Sequence, residues 1–174
     1  MPSANLFTNI SPVNARDVAD EFRKNIKVII NGGDSKIGIE STVVDLTRNP
    51  KILRPGIIGP EIINRFLKVS IRKKNSKLKS PGMLKKHYSP GIPIFLNQKT
   101  FIKKHAFITF GNKYKNNKNC FNLSKKSDLK EAASNLYKTF RKIKKQGFKK
   151  IYVVKIPNIG AGIAINDRLK RAAN

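Results

Sequence analysis

Apolar positions along this chain follow two rhythms, helical and strand-like, with a polar break between residues 68 and 90. Behind Ser11-Pro12, a hydroxyl N-cap followed by proline at the first helical position, Ala15, Val18, Ala19, Phe22 and Ile26 recur at helical spacing and predict a helix. Lys27 to Ile30 reads as a short buried strand stopped by Asn31-Gly32-Gly33, and Ser41 to Leu46 as a second strand. Ile52 to Arg54 predicts a third, ended by Pro55-Gly56, and Pro60 to Leu67 a short helix.

Lys68 to Pro90 is basic and poor in apolar periodicity, with turn signals at Ser80-Pro81-Gly82 and Ser89-Pro90-Gly91, and reads as an interdomain linker. Beyond it, Ile92 to Leu96, Ala106 to Phe110 and Ile151 to Ile156 are strand-like. Between the last two, Ser127 is placed to cap a helix whose apolar stripe is Leu129, Ala132, Ala133, Leu136, Phe140 and Ile143, with Gly147 as its stop. Gly160-Ala161-Gly162 leads into a final helix through Ala173, with Asn166 or Asp167 near its start and Arg168 and Arg171 on its face in structural roles. Strands alternating with helices predict a small α/β domain with a partly parallel sheet. The expected organisation is three segments, 1–67, 68–91 and 92–174. Lys113 to Lys118 is a biased loop, and no internal repeat is found.

Composition narrows the picture. Hydrophobic residues make up 39% of the 174, enough for a packed core. The single cysteine, Cys120, excludes an internal disulfide and a cysteine-rich zinc site, which agrees with a reducing compartment. No apolar run nears the roughly 20 residues of a membrane span, and the first residues carry no basic-then-apolar leader pattern, so a cytoplasmic location without membrane contact is expected. Lys+Arg number 37 against Asp+Glu 10, a formal charge of +27. Two readings stay open: a polyanionic partner such as RNA, or a Lys-, Asn- and Ile-rich composition of the kind AT-rich coding produces, with the charge scattered.

Four groups of residues carry candidate chemistry. Ser3 and Asn5, two apart, share a face of an extended chain and could grip a phosphate or base edge, or be a solvated terminus. The loop from Asn31 to Ser41-Thr42 holds Gly32, Gly33 and Gly38, whose backbone amides can turn toward an anion, although a plain strand connection has the same composition. It lacks the Gly-Lys-Ser/Thr of a Walker loop. Arg54, at a strand end, offers a two-pronged phosphate grip or is a surface arginine. The segment carrying Ser80-Pro81-Gly82-Met83 and His87-Tyr88-Ser89-Pro90 could fold over a site and exclude water, or be a linker with incidental aromatics.

In order and spacing, Pro2-Ser3-Ala4-Asn5, Ser11-Pro12, Gly32-Gly33, Gly38-x-Glu40-Ser41-Thr42-Val43-Val44-Asp45, Leu53-Arg54-Pro55-Gly56 and Ser80-Pro81-Gly82-Met83 with His87-Tyr88-x-Pro90 resemble the second half of the YrdC-family catalytic domain and the linker of its two-domain members. Asn158-Ile159-Gly160-x-Gly162-x-Ala164-Ile165-Asn166-Asp167-Arg168-Leu169-x-Arg171-Ala172-Ala173 resembles the close of their accessory domain. The resemblance implies an α/β fold: the C-terminal part of a YrdC-like catalytic domain over 1–67, a linker over 68–91 and a small Rossmann-like accessory domain over 92–174. It implies threonylcarbamoyl-AMP synthase chemistry, in which L-threonine, bicarbonate and ATP give threonylcarbamoyl-adenylate and pyrophosphate for tRNA modification. By the same resemblance Ser3, Asn5, Ser11, Arg54, Tyr88 and His87 contact ATP, and Ser41 and Thr42 contact threonine. No catalytic residue and no protein metal site is assigned; Mg²⁺ accompanies ATP. Contacts with tRNA or double-stranded RNA and with tRNA-modification proteins are further expectations. The family's Lys-x-Arg element is expected upstream of Pro-Ser-Ala-Asn, so these residues by themselves are expected to have little activity. A non-catalytic basic RNA-binding protein or a scaffold is the alternative.

Overall fold

The computed structural model describes residues 4–6, 8–22, 25–47, 49–71, 87–114 and 117–174. Ser3, the Ser80–Met83 turn and much of the 68–91 segment therefore lie outside the described residues. Two sheets organise the rest. In the first, β1 (Val43–Asp45) pairs antiparallel with β2 (Lys51–Arg54), and β3 (Ser70–Ile71) pairs parallel with β2. In the second, β4 (Ile94–Phe95), β5 (Ala106–Thr109), β6 (Cys120–Asn122) and β7 (Ile151–Val153) run parallel in the order β4-β7-β5-β6. The expected mixed α/β class holds, and every pairing in the second sheet is parallel. Strand β3 falls in the segment read from sequence as linker, and β6, just beyond the Lys113–Lys118 loop, was not read as a strand, because each is only two or three residues long and gives no period to detect.

The second sheet owns the core. Helix α3 (Leu129–Lys145) buries Ala132, Ala133, Leu136, Tyr137, Phe140 and Ile143 completely against Ala106, Phe107, Ile108 and Ile151. Parallel strands covered by crossover helices are apolar on both faces, which is why all four β5 residues are buried. The cap of α3 is Asp128, whose carboxylate accepts from the Lys130 and Glu131 amides at 2.7 and 3.1 Å; Ser127, expected in that role, sits one residue outside at φ 60°. Gly147, at φ 74°, ends the helix as expected. Helix α4 (Ala161–Ala172) begins directly at Gly160, so Asn166 and Asp167 lie in mid-helix rather than near its start.

The amino-terminal region departs further from expectation. Helix α1 (Ala15–Phe22) starts three residues after Pro12, because the Asn14 side chain accepts from the Asp17 amide at 2.9 Å while the Asp17 carboxylate accepts from the Val13 amide at 3.0 Å. This is a reciprocal cap of the kind that fixes a helix start, and it leaves Ser11 outside the helix. The one buried residue of α1 is Asp17, not a member of the expected apolar stripe. The helix turns its acidic side to α3: Asp17 and Glu21 lie 3.2 and 3.9 Å from the Arg141 guanidinium, and Asp20 lies 2.8 Å from Lys145. Lys27 to Ile30, expected as a buried strand, forms none, and Val28 and Ile30 are 77% and 88% exposed. An apolar run becomes a strand only where a neighbouring strand completes its hydrogen bonds, and none pairs with it among the described residues. Helix α2 (Pro60–Ile63) is a single turn.

Candidate functional site

The site is built from the end of β2 and the approach to β1. Arg54, the last residue of β2, pairs across the sheet with Val43. Its side chain runs back along β1, where Nε donates to the Ser41 carbonyl at 3.1 Å and Nη2 to the Ser41 hydroxyl at 3.4 Å. Gly56 makes this approach possible: a Cβ there would lie 2.6 Å from the Ser41 carbonyl carbon and would collide with the Thr42 amide nitrogen. The Thr42 hydroxyl donates to the Ile58 carbonyl at 2.7 Å, stitching the turn after β2 to the start of β1.

Behind Ser41 stands Glu40. Its carboxylate accepts from the Ser11 hydroxyl at 2.5 Å, the Arg168 Nε at 2.8 Å and the Tyr137 hydroxyl at 3.1 and 3.2 Å. Burial works hardest against its charge, but the Arg168 guanidinium and the hydrogen bonds from Ser11 and Arg168 outweigh it and hold the carboxyl below its usual range. Arg168 is completely buried and remains charged. Its Cζ lies 5.0 Å from the centroid of the Tyr88 ring, which itself stacks 5.9 Å from Tyr137.

His87 and Tyr88 close this side. Their rings are 4.0 Å apart, and both residues are buried. The His87 amide donates to the Arg171 carbonyl at 3.2 Å, and the Ser89 amide to the Thr8 carbonyl at 3.1 Å, so the strap is tied at both ends. Tyr88 adopts φ 60°, a conformation that costs a non-glycine residue about 1–3 kcal/mol and persists where surrounding contacts enforce it. Burial pushes the His87 imidazole below its ordinary pKa; Glu40 opposes this, while Arg171, Arg168 and Arg54 add to it. Burial raises the Tyr88 phenol, and the Arg168 and Arg54 charges pull the other way.

The structure thus gathers Ser41, Thr42, Arg54, His87 and Tyr88, with Ser11 joined to them through Glu40. Asn5 is placed otherwise: its amide donates to the Leu6 and Asn9 carbonyls at 3.0 and 3.4 Å within its own turn. In the glycine loop, the Gly33 amide is taken by the Asn31 side chain and the Gly38 amide by the Ser35 hydroxyl. Gly38, at φ 74°, is held against Ser134 of α3, where a Cβ would sit 2.6 Å from the Ser134 carbonyl oxygen. An open groove of about 400 Å³ between α1 and α3, lined by Asn14, Asp17, Lys138, Arg141, Lys142, Lys145 and Gln146, shares none of the gathered residues.

Three residues central to this arrangement were not read as site residues from sequence: Glu40, Tyr137 and Arg168. Arg168 had a visible signal. It falls on the same helical stripe as Ala164, Ile165, Leu169 and Ala172, all buried, and an arginine within an apolar stripe implies a buried partner. Glu40 is named in the Gly38-x-Glu40-Ser41-Thr42 motif, but its partner Tyr137 lies 97 positions further on and had no local signal.

A family model described as "Threonylcarbamoyl-AMP synthase, C-terminal domain" matches residues 58–174, and the Sua5/YciO/YrdC model, described as "Telomere recombination", matches residues 1–56. The chain belongs to the threonylcarbamoyl-AMP synthase family. The threonylcarbamoyl-AMP synthase of Pyrococcus abyssi is 31% identical, with 99% of this chain and 56% of that protein aligned. That of Bacillus subtilis is 30% identical over the same shares, and that of Schizosaccharomyces pombe is 38% identical over 55% of this chain and 26% of its own length. The crystal structure of P. abyssi Sua5 complexed with L-threonine superposes with a TM-score of 0.85 at 30% identity, covering 99% of this chain and 56% of that one. A P. abyssi Sua5 variant with an adjacent His-Tyr pair changed to alanines gives 0.84 at 29% identity. The chain therefore spans about half the length of the Pyrococcus and Bacillus family members it matches. No helix among the described residues is long and apolar enough to cross a membrane.

Proposed function

We propose that this chain supplies one side of a threonylcarbamoyl-adenylate-forming site, in which L-threonine, bicarbonate and ATP give threonylcarbamoyl-adenylate and pyrophosphate for tRNA modification in the cytoplasm. The observation that carries the reading is the Arg54 guanidinium, fixed on the Ser41 carbonyl and hydroxyl beside a buried His-Tyr strap. The likeness to the threonine-bound Sua5 structure supports it.

The reaction joins a carbamate oxygen to the α-phosphorus of ATP with pyrophosphate leaving, the carbamate having formed from the threonine amine and bicarbonate as a C–N bond replaces a C–O bond and water is released. Positioning and charge neutralisation are the protein's main contributions to such a step. In this reading Arg54 neutralises phosphate oxygens, Ser41 and Thr42 orient threonine, and His87 and Tyr88 exclude water over the nucleotide. Ser3, Asn5 and Ser11 stand as proposed ATP contacts, Ser11 through the rim it shares with Glu40. Mg²⁺ would enter on the ATP phosphates. The described residues gather no cluster of three His, Cys, Asp or Glu side chains, and the donors here are hydroxyls and a guanidinium, which suit phosphate oxygens rather than a metal ion. No step is assigned to the ion. The cationic surface offers a place for tRNA to dock.

The test is thermal stabilisation of the chain by ATP with L-threonine. Wild type should melt higher with both ligands, and Arg54→Met should lose the shift while keeping the ligand-free melting temperature. A wild-type melting point that neither ligand moves sinks the reading.

A further inference from the structure

We propose that Arg168, carried by α4 at the far end of the sequence, is the positioning residue that sets the spacing of Ser41 and Arg54. This rests on the reading above, in which those two residues hold substrate. The observation is that one guanidinium touches the chain neighbour of each. Its Nε donates to the Glu40 carboxylate at 2.8 Å and its Nη2 lies 3.5 Å from the Glu40 carbonyl, immediately before Ser41. Its Nη1 donates to the Pro55 carbonyl at 2.9 Å, immediately after Arg54. The two site residues are thus flanked by two anchor points, and both anchors meet on one rigid, planar group.

The chemistry requires arginine. Three nitrogens in a fixed fork are directed at a carboxylate and two backbone carbonyls at once; a lysine ammonium at the end of a flexible stem has no such geometry. The fork is itself held. Asp167 accepts from Arg168 Nη1 at 2.9 Å and from Arg171 Nε at 3.0 Å, and the Tyr88 ring covers the guanidinium face. Because the Arg171 carbonyl also receives the His87 amide, the same helical turn anchors the strap. Arg168 is completely buried and has no access to solvent or ligand, so it acts through Glu40 and Pro55. Helix α4 thereby sets the backbone on which the substrate-facing groups stand.

The test is amide hydrogen exchange on the 174-residue chain, comparing wild type, Arg168→Met and Arg168→Lys, with ATP and L-threonine binding measured on the same samples. Arg168→Met should speed exchange about tenfold in peptides spanning 38–46 and 51–58, leaving the α3 peptide 130–143 within about twofold of wild type. Arg168→Lys should fall between. If Arg168→Met does not fold, Arg168→Lys is judged by the same peptides. Unchanged exchange at 38–46 and 51–58 overturns the proposal, and so does equal acceleration in α3, which marks a purely structural residue. Ligand binding separates the two claims. If wild type binds neither ligand but the exchange pattern holds, the substrate reading fails and the positioning of Ser41 and Arg54 stands. If wild type binds and Arg168→Met binds as tightly despite loosened peptides, the positioning role fails alone.

Discussion

The two sheets of this molecule are stabilised by opposite means. Around the carboxyl-terminal sheet, apolar side chains face one another, and of its acids Asp128 caps α3, Glu131 accepts from the Ser124 hydroxyl and Asp167 pairs with Arg168 and Arg171 within α4. Around the amino-terminal sheet, much of the apolar surface faces water: among the described residues, ten of the thirteen exposed large hydrophobics precede residue 72, Val28, Ile30, Leu46 and Phe66 among them. That region is joined to its neighbour by charge. Asp17, Asp20, Glu21, Asp34 and Glu40, half of the chain's ten acids, pair with Arg141, Lys145, Lys138 and Arg168 on α3 and α4. Four bases form the cationic side of an ion-paired seam, but five acids are taken up in it, so the formal excess of +27 lies outside the seam and stays available to a polyanion.

The contrast predicts where the molecule breaks. Phe140→Ala, which empties a fully buried position in α3, should destabilise the chain by about 3–5 kcal/mol in a denaturant titration. Val28→Ser, at an apolar residue that is 77% exposed, should stay within about 0.5 kcal/mol. Equal effects would show that the first sheet hides a core of its own. Next in size is the seam. Glu40→Ala strips Arg168 of one of its two carboxylates and leaves the Ser11 and Tyr137 hydroxyls without their acceptor, at a cost of about 3 kcal/mol. The loss should appear as exposure of the 38–58 region to protease before α3 unfolds. A single cooperative transition with α3 melting at the same point would place Glu40 in one undivided core.

How far the sequence disclosed this follows the same division. The α3 stripe and Gly147 were legible because the second sheet is stabilised by apolar periodicity, which local patterning reports. The α1 stripe was read to face inward, and the structure buries Asp17 instead; Arg141, 124 positions further on and unseen by any local rule, decides which side of that helix turns in. Lys27–Ile30 was misread because strand propensity names a residue type, whereas a strand needs a partner. Arg54, Ser41 and the His-Tyr strap came from motif spacing, and the structure brings them together. Glu40 stood inside one of those motifs with no role given to it; its part emerges only when α4 arrives.

Acid should open the seam before it harms the core. The folded state holds the Glu40 carboxyl below the usual 4.5, so the stability from this group is complete above that value and is lost as pH falls through the lower folded pKa. His87 acts in the same direction at higher pH. Burial depresses its pKa below the usual 6.5, so the unfolded chain takes up a proton more readily than the folded one. Its contribution is therefore full above pH 6.5 and declines as pH drops from there through the folded value. The wild-type melting temperature should fall in two limbs on acidification, a shallow one starting near pH 6.5 and a second below 4.5. His87→Gln has no proton to gain, so it should flatten the first limb and leave the second. A first limb that survives in His87→Gln would assign it to another group, and with it would go the claim that the strap is buried tightly enough to keep its imidazole neutral.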